Sequence, residues 1–193
     1  MRIDHVIYAT ADLGAAAARV EAELGVAAVA GGRHEGLGTH NRIVPLGRGY
    51  LELLAICDTE EAARSALGSA LQARLEQAGE GLMGWAVAVD DVQPVAERLG
   101  TWVTTIARQG LSAQLTGLLE SMREPFLPFF VARDPGVPDP GGEGDGGGIG
   151  WIEVAGDADR LARWLGGADL PVRVVDGAPA VLAVGIGDRE LRT

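Results

Sequence analysis

The chain is short of several things, and each shortage excludes something. It has one cysteine, Cys57, in 193 residues. No internal disulfide and no cluster of thiolate metal ligands can form. No apolar run approaches the roughly 20 residues that a membrane-spanning helix requires. The opening Met1-Arg2-Ile3-Asp4-His5 runs straight into a strand-like pattern and lacks the apolar core of a signal peptide. Positive charge is also scarce: 16 basic against 27 acidic residues give a net charge of −11, which repels nucleic-acid phosphates and anionic lipid. Together these features predict a soluble cytoplasmic protein without nucleic-acid or membrane partners. There are only three histidines, and all lie within the first forty residues.

What the chain does have is a repeat. Three stretches share one pattern: a short β-rich run, an aspartate, an amphipathic helix and a closing glycine. They are His5–Asp12 leading to Gly25, Trp85–Asp91 leading to Gly100, and Trp151–Val154 leading through Asp157 to Gly166. The aspartate can accept from the free N–H groups of the first helical turn, and the glycine can adopt the left-handed conformation that ends a helix. In the first helix Leu13, Ala17, Val20 and Leu24 form one apolar stripe. Strand-like runs follow each helix: Val26–Ala30, Asn41–Leu46 and Tyr50–Ile56; then Leu115–Leu119 and Phe126–Ala132; then Val172–Val175 and Ala180–Val184.

The predicted fold is therefore α+β, built from repeated βαβββ modules. The expected organisation is a first module over 1–57, a connecting helix over 58–81, a degenerate second module over 82–134, a linker over 135–148 and a shortened third βαββ unit over 149–193. Leu67, Leu71 and Leu75 give the connecting helix an apolar stripe, expected to pack outside the sheet. The Gly- and Pro-rich linker Pro135–Gly148 has no apolar anchor but Val137 and reads as flexible and dispensable for folding. It contains a formal match to a dinucleotide loop, Gly142 to Gly147. That match precedes a strand instead of following one and carries Glu143 and Asp145, which repel a pyrophosphate, so no nucleotide cofactor is expected.

The repeat, the opening Asp4-His5-Val6-Ile7, the strand Gly49-Tyr50-Leu51-Glu52-Leu53-Leu54 and the glycine-rich Gly31–Arg42 together resemble the glyoxalase-like branch of the vicinal oxygen chelate superfamily. The resemblance is strongest over Ile3–Ile56 and weak after Pro125. It implies repeated βαβββ modules forming a cupped mixed or antiparallel sheet with helices on its outer face, and a divalent metal on the concave face that chelates two vicinal oxygens of a small molecule. His5, at the start of the first strand, then takes the place of a first metal ligand, and Glu52 that of a second.

Glu52 is also conspicuous on its own. Alternation puts it on one face with Tyr50 and Leu54 in an otherwise apolar strand, where a carboxylate needs a metal, a cation or hydrogen bonds. The competing structural reading pairs it with an arginine such as Arg42 or Arg48. His5 shares parity with Ile3 and Ile7, which predicts one common face for the three.

The second module departs from the family pattern. Trp85, with Gly84 beside it, and Phe126–Ala132 occupy the ligand places and bind no metal. His34 or His40 would have to complete a set with His5 and Glu52. The expected metal set is His5, Glu52 and His40, for one divalent ion, with Glu52 as the catalytic group. Arg33, His34, Asn41, Tyr50, Trp85 and Phe130 are the expected substrate contacts. Each has a plain alternative: a solvated imidazole, a surface charge, or an aromatic of the core. Two functions follow, a metal-dependent lyase or isomerase of glyoxalase type and a metal-free small-molecule binding protein, with room for a homodimer.

Overall fold

The computed structural model describes residues 1–108, 111–134, 136–142, 144 and 146–193, and at 107, 108 and 111 the backbone. The first module comprises β1 (Arg2–Ala9), α1 (Leu13–Leu24), β2 (Val29–His34), β3 (Thr39–Pro45) and β4 (Tyr50–Ile56). Two helices follow, α2 (Thr59–Ala63) and α3 (Ala66–Ala78). The second module runs β5 (Gly81–Ala88), α4 (Gln93–Leu99), β6 (Val103–Arg108), β7 (Leu111–Thr116), α5 (Leu118–Arg123) and β8 (Phe129–Arg133). The third unit contains β9 (Ile149–Ala155), α6 (Ala158–Leu165), β10 (Val172–Val175), β11 (Ala180–Ile186) and β12 (Arg189–Arg192).

The predicted capping chemistry is in place. Asp12 Oδ1 accepts from the Gly14 and Ala15 amides, and Asp157 from that of Arg160. Gly25, Gly100 and Gly166 close their helices with φ of 71, 67 and 66°. The connecting helix is two helices, because Ser65 caps a new start by accepting from the Gly68 amide.

Eight strands form one sheet in the order β2-β3-β4-β1-β5-β8-β7-β6. The modules join where β1 runs antiparallel to β5. On either side of that seam each pairs in parallel with the last strand of its own module, β4 or β8. The second module is thus a full four-stranded half, with α5 inserted before β8. The expected strand over Leu115–Leu119 instead ends at Thr116, and Gly117 with φ of 77° turns the chain into α5.

The third unit is wired differently. β9 lies between β10 and β11 in a separate four-stranded sheet, and β10 pairs with it in parallel. Its apolar residues Ile152, Val154, Val181 and Val184 join α1, α4 and α6 in one core with Trp85 and Phe130, behind the cup. The two modules thus curl into the expected cup with α1 and α4 on the outer face.

The α3 helix does not lie outside. Leu71 is fully buried among Ile7, Leu54, Leu115, Phe129 and Val131 on the inner face, with Leu67 and Leu75 packed beside it. The convex face is already covered by α1 and the third unit, so the leucine stripe finds its apolar partner inside the cup.

The expected linker also packs, although Pro135, Glu143 and Asp145 lie outside the described residues. The Gly47 amide donates to Gly141 O, the Gly148 amide to Leu46 O, and Arg2 Nη2 to Asp139 Oδ2 at 2.5 Å. Glycines let this segment lie flat on the β3–β4 turn: a Cβ on Gly144 would meet Pro45 O at 2.6 Å. No described helix is long and apolar enough to cross a membrane.

Candidate functional site

The inner face of the cup holds a cavity of about 470 Å3. Its floor is made by His5 and Ile7 of β1, Tyr50, Glu52 and Leu54 of β4, Asn41 and Ile43 of β3, and Phe129, Val131 and Arg133 of β8. The segment Val137–Pro140 forms one wall.

A β-bulge creates the key arrangement. Ile3 pairs with Val87 but His5 pairs with Ala86, so Asp4 is an extra residue opposite the seam. A bulge can bring two consecutive side chains to one side of a strand. Asp4 and His5 accordingly meet, His5 Nδ1 to Asp4 Oδ2 at 2.7 Å, while Ile3 joins the core on the other face. The expected shared face of His5 and Ile3 is broken by this bulge; that of His5 and Ile7 is kept.

Asp4 is fully buried and is gripped from the second module by Arg133, whose Nη1 and Nη2 each donate at 2.7 Å. Burial pushes the Asp4 carboxyl up, but the bonds from Arg133 and His5 outweigh it and hold the group well below the carboxylate range. An ionised Asp4 can only accept, so His5 Nδ1 carries a proton and donates it. Nε2 is left directed at Glu52 Oε2, 3.6 Å away. The Tyr50 ring stacks on the His5 ring at 4.5 Å with 17° between planes, and Phe129 meets it edge-on at 5.4 Å. Burial, reinforced by Glu52 and Asp4, pushes the Tyr50 phenol well above its usual range, so it stays a hydroxyl.

Glu52, 12% exposed at its side chain, is held from three sides. Asn41 Nδ2 donates to its Oε1 at 2.5 Å. His34 Nε2 lies 3.7 Å from the same oxygen, and His34 Nδ1 is 2.9 Å from Thr39 Oγ1. Asn41 in turn accepts from the Gly32 amide at 2.9 Å, tying the glycine-rich strand to the carboxylate. A Cβ on Gly31 would collide with Asn41 Oδ1, which is why this bulged stretch of β2 tolerates no side chain there.

The structure thus brings together His5, His34, Asn41, Tyr50 and Glu52, and leaves out others. His40 falls one residue from Asn41, so alternation turns it to the opposite face of β3 from Asn41 and Thr39. Trp85 and Phe130 are fully buried on the convex side; Trp85 Nε1 donates to Phe126 O there. Phe129, one residue away, faces the cavity instead of Phe130. Arg33 lies at the rim with its guanidinium taken by Glu61 and, at 3.5 Å, Asp58. Neither Arg42 nor Arg48 pairs with Glu52, which the histidines and Asn41 attend instead.

Two site residues escaped the sequence reading, Asp4 and Arg133. Asp4 stands in the quoted motif beside His5, but only the bulge turns it inward. Arg133 shares parity with Phe129 and Val131, a signal available once that strand's inward face is known.

A divalent ion was expected here, and the donor types suit one: two imidazole nitrogens, each with its other nitrogen held, beside a carboxylate. The arrangement does not fit it. Among the described residues no group of three or more His, Cys, Asp or Glu could hold a metal ion, and Glu52 Oε1 is engaged by an N–H donor. What the site offers as it stands is proton chemistry: a carboxylate and an imidazole nitrogen side by side in an apolar cup.

A comparison with the curated proteins finds no match. Among solved structures, a hypothetical protein from Staphylococcus aureus superimposes with a TM-score of 0.67 at 16% identity, covering 91% of this chain and 86% of that one. A variant of Streptomyces coelicolor methylmalonyl-CoA epimerase in complex with 2-nitronate-propionyl-CoA gives 0.53 at 22% identity, covering 68% and 96%. A methylmalonyl-CoA epimerase in complex with methylmalonyl-CoA and NH4+ gives 0.54 at 22%, covering 72% and 98%. The glyoxalase-like domain family matches residues 3–168, nearly the whole of the cup and the start of the third unit, and the chain belongs to that family.

Proposed function

We propose that the chain binds a small carbonyl compound in the concave cavity and moves a proton at the carbon beside the carbonyl, the step that opens both isomerase and lyase chemistry of glyoxalase type. The observation that carries this reading is Glu52 Oε2 and His5 Nε2, 3.6 Å apart in an apolar pocket. Glu52 takes the proton from carbon as general base. His5, its Nδ1 proton held by Asp4, offers Nε2 to the proton that Glu52 has taken, and the imidazolium so formed can return it to the substrate at another position. Ile7, Leu54, Phe129 and Val131 exclude water around the reacting carbon. The epimerases that share the fold are bound to acyl-CoA compounds, whose acidic carbon is likewise next to a carbonyl.

The test is hydrogen–deuterium exchange. Incubating the protein in D2O with 1-hydroxy-2-butanone and following the proton signals by NMR should show exchange beside the carbonyl. Glu52→Gln should reduce its rate by about 10²–10⁴-fold, the usual contribution of a general base. Binding in a thermal-shift assay with no exchange would leave the metal-free binding protein as the function. Exchange that appears only on adding a divalent ion, and vanishes with EDTA, would restore the metal and require His5, His34 and Glu52 to draw together around it.

A further inference from the structure

The cavity does not end at Glu52. A second one, of about 710 Å3, opens beside it between the glycine-rich strand β2, the start of α3 and the β6–α5 edge. His34, Leu37, Leu67, Ile106, Leu115 and Leu118 line both. The two therefore adjoin as an inner and an outer lobe, with His34 at the junction. The inner lobe carries the acid–base groups. Apart from His34 at the junction, the lining of the outer lobe includes Leu37, Leu67, Leu118, Leu119 and Met122. Its charged residues are Arg33, Glu35 and Glu120, and the arginine is already engaged by Glu61 and Asp58. Trp102 lies at this lobe with 85% of its surface exposed, and Leu119 is half exposed. With Ile106, also exposed, they leave apolar surface bare together at the edge of the cavity, the kind of patch that a ligand can cover.

We propose that the outer lobe binds the apolar tail of the same molecule whose carbonyl head meets Glu52, so that the substrate class is a carbonyl compound with an extended, uncharged aliphatic or aryl tail. The inference rests on the reading of Glu52 given above for the head, and on three observations for the tail. The two cavities adjoin along their shared lining residues, so a molecule that reaches past His34 can occupy both. The inner lobe alone accommodates a small head, while the outer lobe adds the larger share of the space. Glu120, and Glu35 beside Arg33 at 3.9 Å, carry negative charge that disfavours a carboxylate or phosphate at the tail's end, and the apolar lining disfavours burying a charge of either sign.

The experiment is a chain-length series. Straight-chain 1-hydroxy-2-ketones of increasing length, from 1-hydroxy-2-butanone to 1-hydroxy-2-decanone, are titrated by calorimetry, and each is tested for exchange in D2O. Affinity should tighten about fourfold for each added methylene, the equivalent of ~0.8 kcal/mol per buried CH2. Trp102→Ala and Ala66→Trp, both at exposed positions, should weaken the long members and leave 1-hydroxy-2-butanone unchanged. Affinity that is flat along the series while exchange proceeds would overturn the tail site and spare the reading of Glu52. Affinity that rises with length with no exchange in any member would sustain the tail site and sink that reading. Equal weakening of every member by Trp102→Ala would also overturn the tail site. So would a native dimer in sedimentation that Trp102→Ala splits, because a second copy would then be what covers the lobe.

Discussion

Replacing Arg133 by methionine keeps most of the apolar stem and removes the guanidinium that joins the two modules at the site. Asp4 is fully buried, and the Arg133 side chain is 15% exposed. The change deletes both 2.7 Å bonds and leaves the carboxylate with His5 as its remaining close donor. Removing one member of a buried pair costs ~3–5 kcal/mol because the other is stranded. The surviving His5 contact places the expected loss near the lower end, ~3 kcal/mol. With a urea m-value of ~2 kcal/mol/M, the midpoint followed by tryptophan fluorescence should fall by ~1.5 M. Asp4→Asn should also destabilise, and the double variant should lose clearly less than the sum, since it strands no charge.

The pH dependence supplies a second check on the same pair. The native Asp4 carboxyl titrates below its unfolded value because the bonds from Arg133 and His5 outweigh burial. Its contribution is therefore present above pH ~4 and lost as pH falls through the depressed native value. The native protein and Arg133→Met should accordingly converge in stability as the solution is acidified below that point. A midpoint shift under ~0.5 M, where ~1.5 M is expected, or strict additivity in the double variant, would refute the claim that Arg133 compensates a buried Asp4.

Glu80 accepts from Thr10 Oγ1, the Ala11 amide and Arg19, and the Thr10 bond foremost holds its carboxyl below the usual range. Glu80→Gln should lower stability by ~1 kcal/mol at neutral pH. The loss should shrink as pH falls below ~4.3 toward the native value, which differential scanning calorimetry at several pH values would show. Deleting Val137–Pro140 removes a wall of the cavity and the Arg2–Asp139 pair, so the melting temperature should drop by roughly 2–4 °C, the equivalent of ~1 kcal/mol in a chain of this size. An unchanged melting temperature would return that segment to the role of a tether.

The strands whose neighbours obey simple alternation were the legible ones. Tyr50–Ile56 and Val172–Val175 have the predicted bounds, and Tyr50, Glu52 and Leu54 share a face as expected. Glu52 stood out because a carboxylate in an apolar strand needs partners, and it has them. What defeated the reading was a change of parity or of side. The bulge at Asp4 separates His5 from Ile3. Phe129 and not Phe130 faces inward because β8 runs parallel to β5 in a register that periodicity cannot specify. The same limit hid that His34 and not His40 reaches Glu52. The α3 stripe gave a helix and an apolar face but not which of two apolar surfaces it would meet. That choice depended on residues 149–193 having taken the other one. The segment from 135 to 148 read as a linker from composition alone, and glycine's want of a side chain proved equally suited to close packing.

The third unit covers the convex side of a sheet whose strands are all made before it. Arg189 Nη1 donates to Glu23 O at the end of α1, Thr193 Oγ1 accepts from the Leu82 amide, and Leu191 sits in the core that includes Val20 and Trp85. Translation at ~5–20 residues per second leaves the back of the nascent cup uncovered for several seconds while residues 149–193 emerge. During that interval the ribosome-bound chain presents Val20, Trp85 and Phe130 on one bare face, a natural target for a chaperone. A stop codon or a protease cut ahead of β11 would make that temporary exposure permanent, so proteolytic quality control should remove such fragments even though both halves of the cup are already synthesised.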